Sequence, residues 1–227
     1  MFVRNLCIGV VAILAYPASA MAAGFNCQRA TTEVEKSICS DEVLSRLDDE
    51  LNALYYIASH APRISVPSKR LQTQWLRQRD QCHEKSCLAG IYELRIAGLR
   101  KEIGQVADPF PIQGNWLRDY GGGESGYCKL SGNSSSFGVY ITKSDADVHG
   151  NFQCVYNCGQ KIEDGKILSG VIVNNIGDLE YEAGFNQTTR NSAVAVVIDR
   201  KLYWAALRDI SGSYCITREI LPVENSQ

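Results

Sequence analysis

Phe25-Asn26-Cys27-Gln28-Arg29-Ala30, followed by Glu33-Val34-Glu35-Lys36-Ser37-Ile38-Cys39, opens the stretch that decides how this chain is read. The stretch ends in Gln74-Trp75-Leu76-Arg77-Gln78-Arg79-Asp80-Gln81-Cys82 and then Cys87-Leu88, Tyr92, Arg95-Ile96 and Leu99. Thr32-Glu33-Val34-Glu35 has the form of a capping box, in which the Thr32 hydroxyl serves the Glu35 amide and the Glu35 carboxylate reaches back. A short helix through Ile38 follows. Ser40 or Asp41 starts a longer one on Leu44, Leu47, Leu51, Leu54 and Ala58, and Ala61-Pro62 with Val66-Pro67 brackets the turn that ends it. Ser68 caps a third helix carrying Leu71, Trp75 and Leu76. A fourth begins near Ser86, presents Leu88, Ile91, Tyr92, Ile96, Leu99 and Ile103 on one face, and meets a C-cap at Gly104. Four cysteines punctuate this plain helical pattern, two at its start and two at its last turn. It reads as a small stapled helical unit.

The residues before this stretch point to export. Met1-Phe2-Val3-Arg4 is a short basic start, Leu6 to Tyr16 is apolar, and Pro17-Ala18-Ser19-Ala20-Met21-Ala22-Ala23 supplies small residues at cleavage spacing after Ala20 or Ala22. The apolar run is too short for a permanent bilayer span. Residues 1–22 are expected to be a signal peptide. Cys27 follows Gly24-Phe25-Asn26, which is not a lipid-attachment context, so the mature protein is expected in soluble form, periplasmic or secreted, without stable membrane insertion. Loss of Cys7 with the leader reduces nine cysteines to eight, an even number that in an oxidising compartment reads as disulfides. Four lie in the first half (Cys27, Cys39, Cys82, Cys87) and four in the second (Cys128, Cys154, Cys158, Cys215). No Cys-x-x-Cys pair favours zinc.

If the second and third helices are antiparallel neighbours, Cys39 and Cys82 meet at one end and Cys27 is left for Cys87. Each such bridge closes a loop of tens of residues and contributes roughly 3–4 kcal/mol. In the second half, Cys128 and Cys215 lie near the first and last strands. Cys154 and Cys158 either bridge locally or reach one of those two.

With Phe25, Cys27, Glu35, Ile38-Cys39, Leu47-Asp48, Leu51, Tyr55, Gln74, Trp75, Arg79-Asp80, Cys82, Cys87-Leu88, Tyr92, Arg95-Ile96 and Leu99 in order, residues 25–100 resemble the LprI-like lysozyme-inhibitor N-terminal domain family. The resemblance covers about a third of the chain. It implies a small exported helical domain, usually bacterial and often fused to an unrelated second domain, and inhibition of lysozyme. Fold and staples carry over; no inhibitory residue does. On the residues themselves, Trp75 reads as core, Arg79 and Asp80 as helix-end anchors or partners of Glu35 or Asp48, and Tyr55 and Tyr92 as packed rings with hydroxyls at the rim.

Gln105-Val106-Ala107-Asp108-Pro109-Phe110-Pro111 breaks the helical pattern, so a linker is expected over residues 105–112, after a helical domain at 24–104 and before a second domain at 113–222. There the period becomes two. Candidate strands begin at Gly114-Asn115-Trp116-Leu117-Arg118 and continue at Ser136–Thr142, Val148–Tyr156, Lys166–Val173, Leu179–Phe185, Ala193–Asp199, Lys201–Leu207 and Tyr214–Leu221. Turn chemistry separates them at Gly121-Gly122-Gly123, Ser131-Gly132-Asn133, Glu163-Asp164-Gly165, Asn174-Asn175 and Asp199-Arg200. The fold class is therefore α+β, a stapled helical domain followed by a small antiparallel β-barrel or sandwich. Gly114-Asn115-Trp116 with Thr217-Arg218 is similar to the calycin pattern, in which a late basic side chain covers the first-strand Trp.

Composition and motifs narrow the function. The net charge of -2 and the absence of a basic surface argue against nucleic acid. From Gln105 onward 14 Asp and Glu stand against 10 Lys and Arg, whereas Gly24 to Gly104 holds 11 against 12, so the second half would be steered towards a cationic partner, as many lysozymes are. His60, His83 and His149 have no ligand spacing to one another. No nucleophile elbow, metalloprotease helix or phosphate loop occurs, and Asp145-Ala146-Asp147 lacks the rest of a calcium loop. Glu180 and Glu182 share a strand face in the manner of ordinary exposed residues rather than a glycosidase pair. Neither catalysis nor a cofactor or metal is expected. The leading expectation is a monomeric exported protein that binds lysozyme or a related peptidoglycan hydrolase and occludes its cleft with a loop. The candidate loops are Gly121–Tyr127 and Ser131–Ser136, with Tyr127 as anchor, Ser125 beside it, and Glu124 or Lys129 approaching the enzyme's carboxylate pair. The alternatives are a barrel that binds a small apolar ligand or envelope lipid, and an envelope assembly or immunity factor.

Overall fold

A computed structural model of the chain describes residues 24–64, 69–109, 114–119, 136–144, 147–156, 160–183, 189–207 and 218–222. Local signals place the helices. After a 3-10 turn at Cys27–Arg29, α1 (Glu33–Ser40) starts at the expected capping box, with the Glu35 amide donating to Thr32 Oγ1 at 3.1 Å and the Thr32 amide donating to Glu35 Oε2 at 3.0 Å. Asp41 caps α2 (Glu42–His60), accepting from the amides of Val43 and Leu44 while Lys85 Nζ holds its other oxygen at 2.8 Å. α3 (Lys69–Arg79) and α4 (Lys85–Val106) complete the helical part. Leu44, Leu51, Leu54, Ile57 and Ala58 of α2 are buried against Leu88, Tyr92, Ile96, Leu99 and Ile103 of α4. Spacing at three and four is what puts each set on one face.

Gly104 does not end α4. The helix continues to Val106, and Gly104 lies against the turn at Asn174, where an added Cβ would come within 3.0 Å of the Asn174 carbonyl oxygen. Close approach, not capping, is its use. The expected linker is correspondingly tied down: Ala107 caps α4, the Asp108 amide donates to the Val197 carbonyl at 2.7 Å, and Asp108 Oδ2 accepts from the Arg200 amide at 3.1 Å.

The disulfides correct the expected pairing. Cys27 bonds Cys39 and Cys82 bonds Cys87, at sequence separations of 12 and 5. Each bridge is local: one holds the 3-10 turn to the end of α1, the other spans the α3–α4 connection. In the chain-entropy model loops this short contribute about 3 and about 2 kcal/mol, less than long-range staples would. Of the second-half cysteines, Cys154 lies on a strand, and Cys128, Cys158 and Cys215 lie outside the described residues.

Among the described residues eight antiparallel strands follow in simple chain order, forming one sheet: β1 (Gly114–Asp119), β2 (Ser136–Ser144), β3 (Asp147–Tyr156), β4 (Gln160–Val173), β5 (Ile176–Ala183), β6 (Thr189–Ile198), β7 (Lys201–Ala206) and β8 (Arg218–Pro222). Among the described residues no ladder joins β8 to β1, so hydrogen bonds do not close the barrel. All eight expected strands are present. The Glu163-Asp164-Gly165 turn is not: those residues lie inside β4, paired with Cys154, Gln153 and Phe152, and a register shift at Cys154/Val155 absorbs the irregularity. Asn174-Asn175 and Asp199-Arg200 do form two-residue turns, with φ of 52°, 63°, 51° and 61°. Positive φ at both central positions matches the right-handed twist of a hairpin.

Alternation along β5–β7 sorts two apolar faces. Ile176, Val194, Val196, Ile198, Tyr203 and Ala205 join the helical core, while Leu179, Tyr181, Ala193, Ala195, Leu202 and Trp204 are buried on the opposite face, where the Tyr181 and Trp204 rings meet edge to face at 5.2 Å. The helices thus cover one side of the sheet. Polar fasteners surround this seat: Tyr56 Oη donates to the Arg218 carbonyl at 3.2 Å, Tyr203 Oη to the His60 carbonyl at 3.4 Å, and Arg63 pairs with Asp199 at 2.9 Å. Arg218 places its guanidinium 5.9 Å from the Tyr56 ring centroid, towards the helices; the side chain of Trp116, which it is expected to cover, lies outside what the structure describes.

Arg200 adopts the left-handed conformation without being Gly, Asn or Asp, a backbone cost on the order of 1 kcal/mol. Arg200→Gly keeps the amide that bonds Asp108. It is expected to raise the melting temperature by about 2–4 °C; an unchanged or lower value in a thermal scan would refute the strain argument.

Candidate functional site

Two constellations stand out among the described residues, one buried and one open. The buried one brings together Asp48, Trp75, Arg79, Asp80 and Tyr92, five of the residues that carry the resemblance. Asp48, in the middle of α2 and only 4% exposed, accepts from Tyr92 Oη at 2.6 Å on Oδ1, and from the Gly24 amide at 2.7 Å and Asn52 Nδ2 at 3.2 Å on Oδ2. Gly24 fits because any side chain there would overlap Asn52. Trp75 packs edge-on to Tyr92 at 5.3 Å, and the Arg79 guanidinium sits 5.8 Å from the Trp75 ring centroid while bonding its neighbour Asp80 at 2.9 and 2.7 Å. Trp75 is thus core, as its spacing implies. Arg79 pairs with Asp80 rather than with Glu35, whose carboxylate is spent on Thr31 and Thr32. Tyr92 departs from expectation: its hydroxyl is not at the rim but fully buried on Asp48, whereas Tyr55 is partly buried.

Burial pushes the Asp48 carboxyl above the usual carboxylate range, against the hydrogen bonds from Tyr92 and Gly24 and the charges of Arg79 and Arg218. Burial, with the Asp48 charge next to it, likewise drives the Tyr92 phenol far above its ordinary value. A donor-saturated carboxylate of this kind orders the elements around it: α2, α4 and the chain at Gly24. It offers no open position for a reacting group.

The open constellation is a groove of about 360 Å³ between α2, α4 and the helix-facing side of β4–β6. Its sheet wall is made of two cross-strand rows. Ser169, Glu180 and Ser192 are in register in one, and Val171, Asp178 and Val194 in the next. The helices contribute Arg46 and Glu50, one turn apart on α2, and Arg100 of α4. Arg100 bonds Glu50 Oε1 and Asp178 Oδ1, each at 2.7 Å, so it clamps helix to helix and helix to sheet. Burial works against its charge, but the bonds to Asp178 and Glu50 outweigh that and raise its pKa. Sequence reasoning missed this groove, although it noticed Glu180 as one of two carboxylates on a strand face. Among the described residues no group of three His, Cys, Asp or Glu is arranged to hold a metal ion, and no helix is long and apolar enough to cross a membrane.

The loop residues singled out for partner binding, Glu124, Ser125, Tyr127 and Lys129, lie outside the described residues, but the ladder locates their attachment. Both candidate loops belong to one connection, residues 120–135, whose ends are the paired residues Asp119 and Ser136 of neighbouring strands. Ser136 itself is the first residue of β2.

A scan of family models, a search of curated proteins and a search of solved structures each returned no match.

Tyr92→Phe removes the donor to a buried carboxylate oxygen and is expected to cost about 1–3 kcal/mol in denaturant unfolding. For Asp48 the sign follows from its raised folded-state pKa. Between the unfolded value and the folded one, the native state keeps a proton the unfolded chain has lost, so this group's contribution to stability falls as pH rises through that window. The stability of the wild type minus that of Asp48→Asn should therefore decline as pH is raised upward from 3.8. A difference that rises instead would show that the hydrogen bonds and arginines outweigh burial.

Proposed function

We propose that this protein is an exported protein-binding protein that inhibits a lysozyme or related peptidoglycan hydrolase by occluding its substrate cleft. The observation that supports the reading is that Asp119 and Ser136, which bound the stretch of sequence carrying Glu124, Ser125, Tyr127 and Lys129, are paired across neighbouring antiparallel strands. A recognition loop presented by a rigid scaffold loses little conformational freedom on binding, which favours affinity. Support for the target comes from the stapled helical unit, where Asp48, Trp75, Arg79 and Tyr92 of the LprI-like pattern converge. In this reading Tyr127 is the aromatic anchor, and Lys129, the cation of the set, approaches the carboxylates of a muramidase cleft. Glu124 and Ser125 complete the rim. The excess of acidic residues after Gln105 steers the approach of a cationic enzyme.

The test is lysis of a peptidoglycan suspension by c-type, g-type and i-type lysozymes, with and without the oxidised full-length mature protein. Stoichiometric inhibition of at least one type is expected, and Tyr127→Ala or Lys129→Ala should weaken it about tenfold or more. No inhibition of any type by protein whose bridges are confirmed by mass would end the proposal.

A further inference from the structure

The groove between α2, α4 and the sheet contains polar groups that the fold does not use. Arg100 is committed to Glu50 and Asp178. Arg46 lines the same groove and makes no hydrogen bond or ion pair among the described residues. Among the described residues Glu180, exposed on the opposite wall, receives only a long bond from the Ser169 hydroxyl at 3.4 Å, and Arg46 and Glu180 do not pair with each other. The Ser192 hydroxyl beside Glu180 has no partner among the described residues, and Val171, Val194 and Leu207 supply apolar contact.

We propose that this groove binds a short dipolar peptide with both ends free, its carboxylate on Arg46 and its ammonium group on Glu180. The charge pattern selects that chemistry. A simple anion attracted to Arg46 would meet the carboxylate of Glu180, and a simple cation attracted to Glu180 would meet Arg46. A ligand with opposite charges at its two ends satisfies both walls. The hydroxyls of Ser169 and Ser192 flank Glu180 on adjacent strands and can serve the peptide's amide groups. Val171 and Leu207 suit small side chains. The volume of about 360 Å³ lies at the lower end of the usual range for small-ligand sites, which suits about two or three residues. Recognition of both termini makes the site selective for free peptides over segments of intact chains. The proposal is independent of any inhibition of lysozyme.

Isothermal titration of the oxidised full-length protein with tri-alanine tests it, alongside the N-acetylated and the C-amidated forms of the same peptide. Saturable binding of tri-alanine is expected, weakened at least tenfold by capping either end. Arg46→Gln and Glu180→Gln, both substitutions of exposed side chains, should each weaken binding at least tenfold while keeping the native circular dichroism spectrum and melting temperature. Leu94→Ala, on the exposed side of α4, should leave binding unchanged. Absence of saturable binding up to millimolar peptide overturns the proposal. So does equal binding of the capped peptides, or indifference to both groove substitutions.

Discussion

Burial of β6 and β7 on both faces is the constraint on which the rest of the structure depends. Every residue from Ala193 to Ile198 and from Leu202 to Ala206 is buried. A strand in a small barrel ordinarily turns one face to water and alternates accordingly. Here both faces are apolar, so the outer one has to be covered, and α2 with α4 covers it. Burying a Val, Ile or Tyr side chain contributes roughly 1.5–3 kcal/mol, and Val194, Val196, Ile198 and Tyr203 all belong to the cluster shared with the helices. Removing the helices would return that surface to water. The helical part and the sheet therefore share one core, which extends across the boundary that the change of period marks in the sequence.

The covalent and polar braces fit around this seat and act locally. Cys27–Cys39 and Cys82–Cys87 tie neighbouring segments within the helical part. Asp48 joins the segment at Gly24 to α2 and α4. On the sheet side Arg63 reaches Asp199 and the Val106 carbonyl, and Asp108 takes the Arg200 amide, so the strained β6–β7 turn is held by the chain that leaves α4. The ion pairs and turn contacts on the sheet side are individually weak, and the exposed ones are screened by solvent. Their effect is to fix orientation at a junction whose attraction is apolar and non-directional.

Local signals in the sequence were reliable where the physics is local. The Thr32 capping box, the Asp41 cap, the apolar faces of α2 and α4, and the turns at Asn174-Asn175 and Asp199-Arg200 depend on residues within a few positions of each other. The unbroken apolar run Ala193-Val194-Ala195-Val196-Val197-Ile198 is the mark of a strand without a solvent face, a cue that the period-two reading of this half of the chain passes over. The disulfide pairing was not legible, because pairing by helix topology presumes that cysteines at helix ends meet across the bundle, and here each finds a partner 12 or 5 residues away. Gly104 looked like a C-cap, but its purpose, room for the Asn174 carbonyl, depends on a strand turn seventy positions later in the chain. The groove was least legible of all, since Arg46, Arg100, Ser169, Glu180 and Ser192 come from five separate elements.

The groove follows from the same seat. Along the helix-facing side of β5 the residues change from Ile176 to Asp178, Glu180 and Glu182, and along β6 from Val196 and Val194 to Ser192 and Arg190. Apolar residues at one end hold the helices. At the polar end there is nothing for them to bury, and space remains between the layers. Arg100 stands at the border, with burial opposing its charge and two carboxylates retaining it. Because it is held from both the helix and the sheet, it closes the apolar seam and leaves Arg46 and Glu180 beyond it without a strong partner among the described residues. A protein that needed only stability would gain little from an arginine and a glutamate that face each other across a groove and, among the described residues, are unpaired and almost unpaired, since pairing them would satisfy both. That they stay apart while Arg100 takes the available carboxylates is the physical ground for assigning them to a ligand.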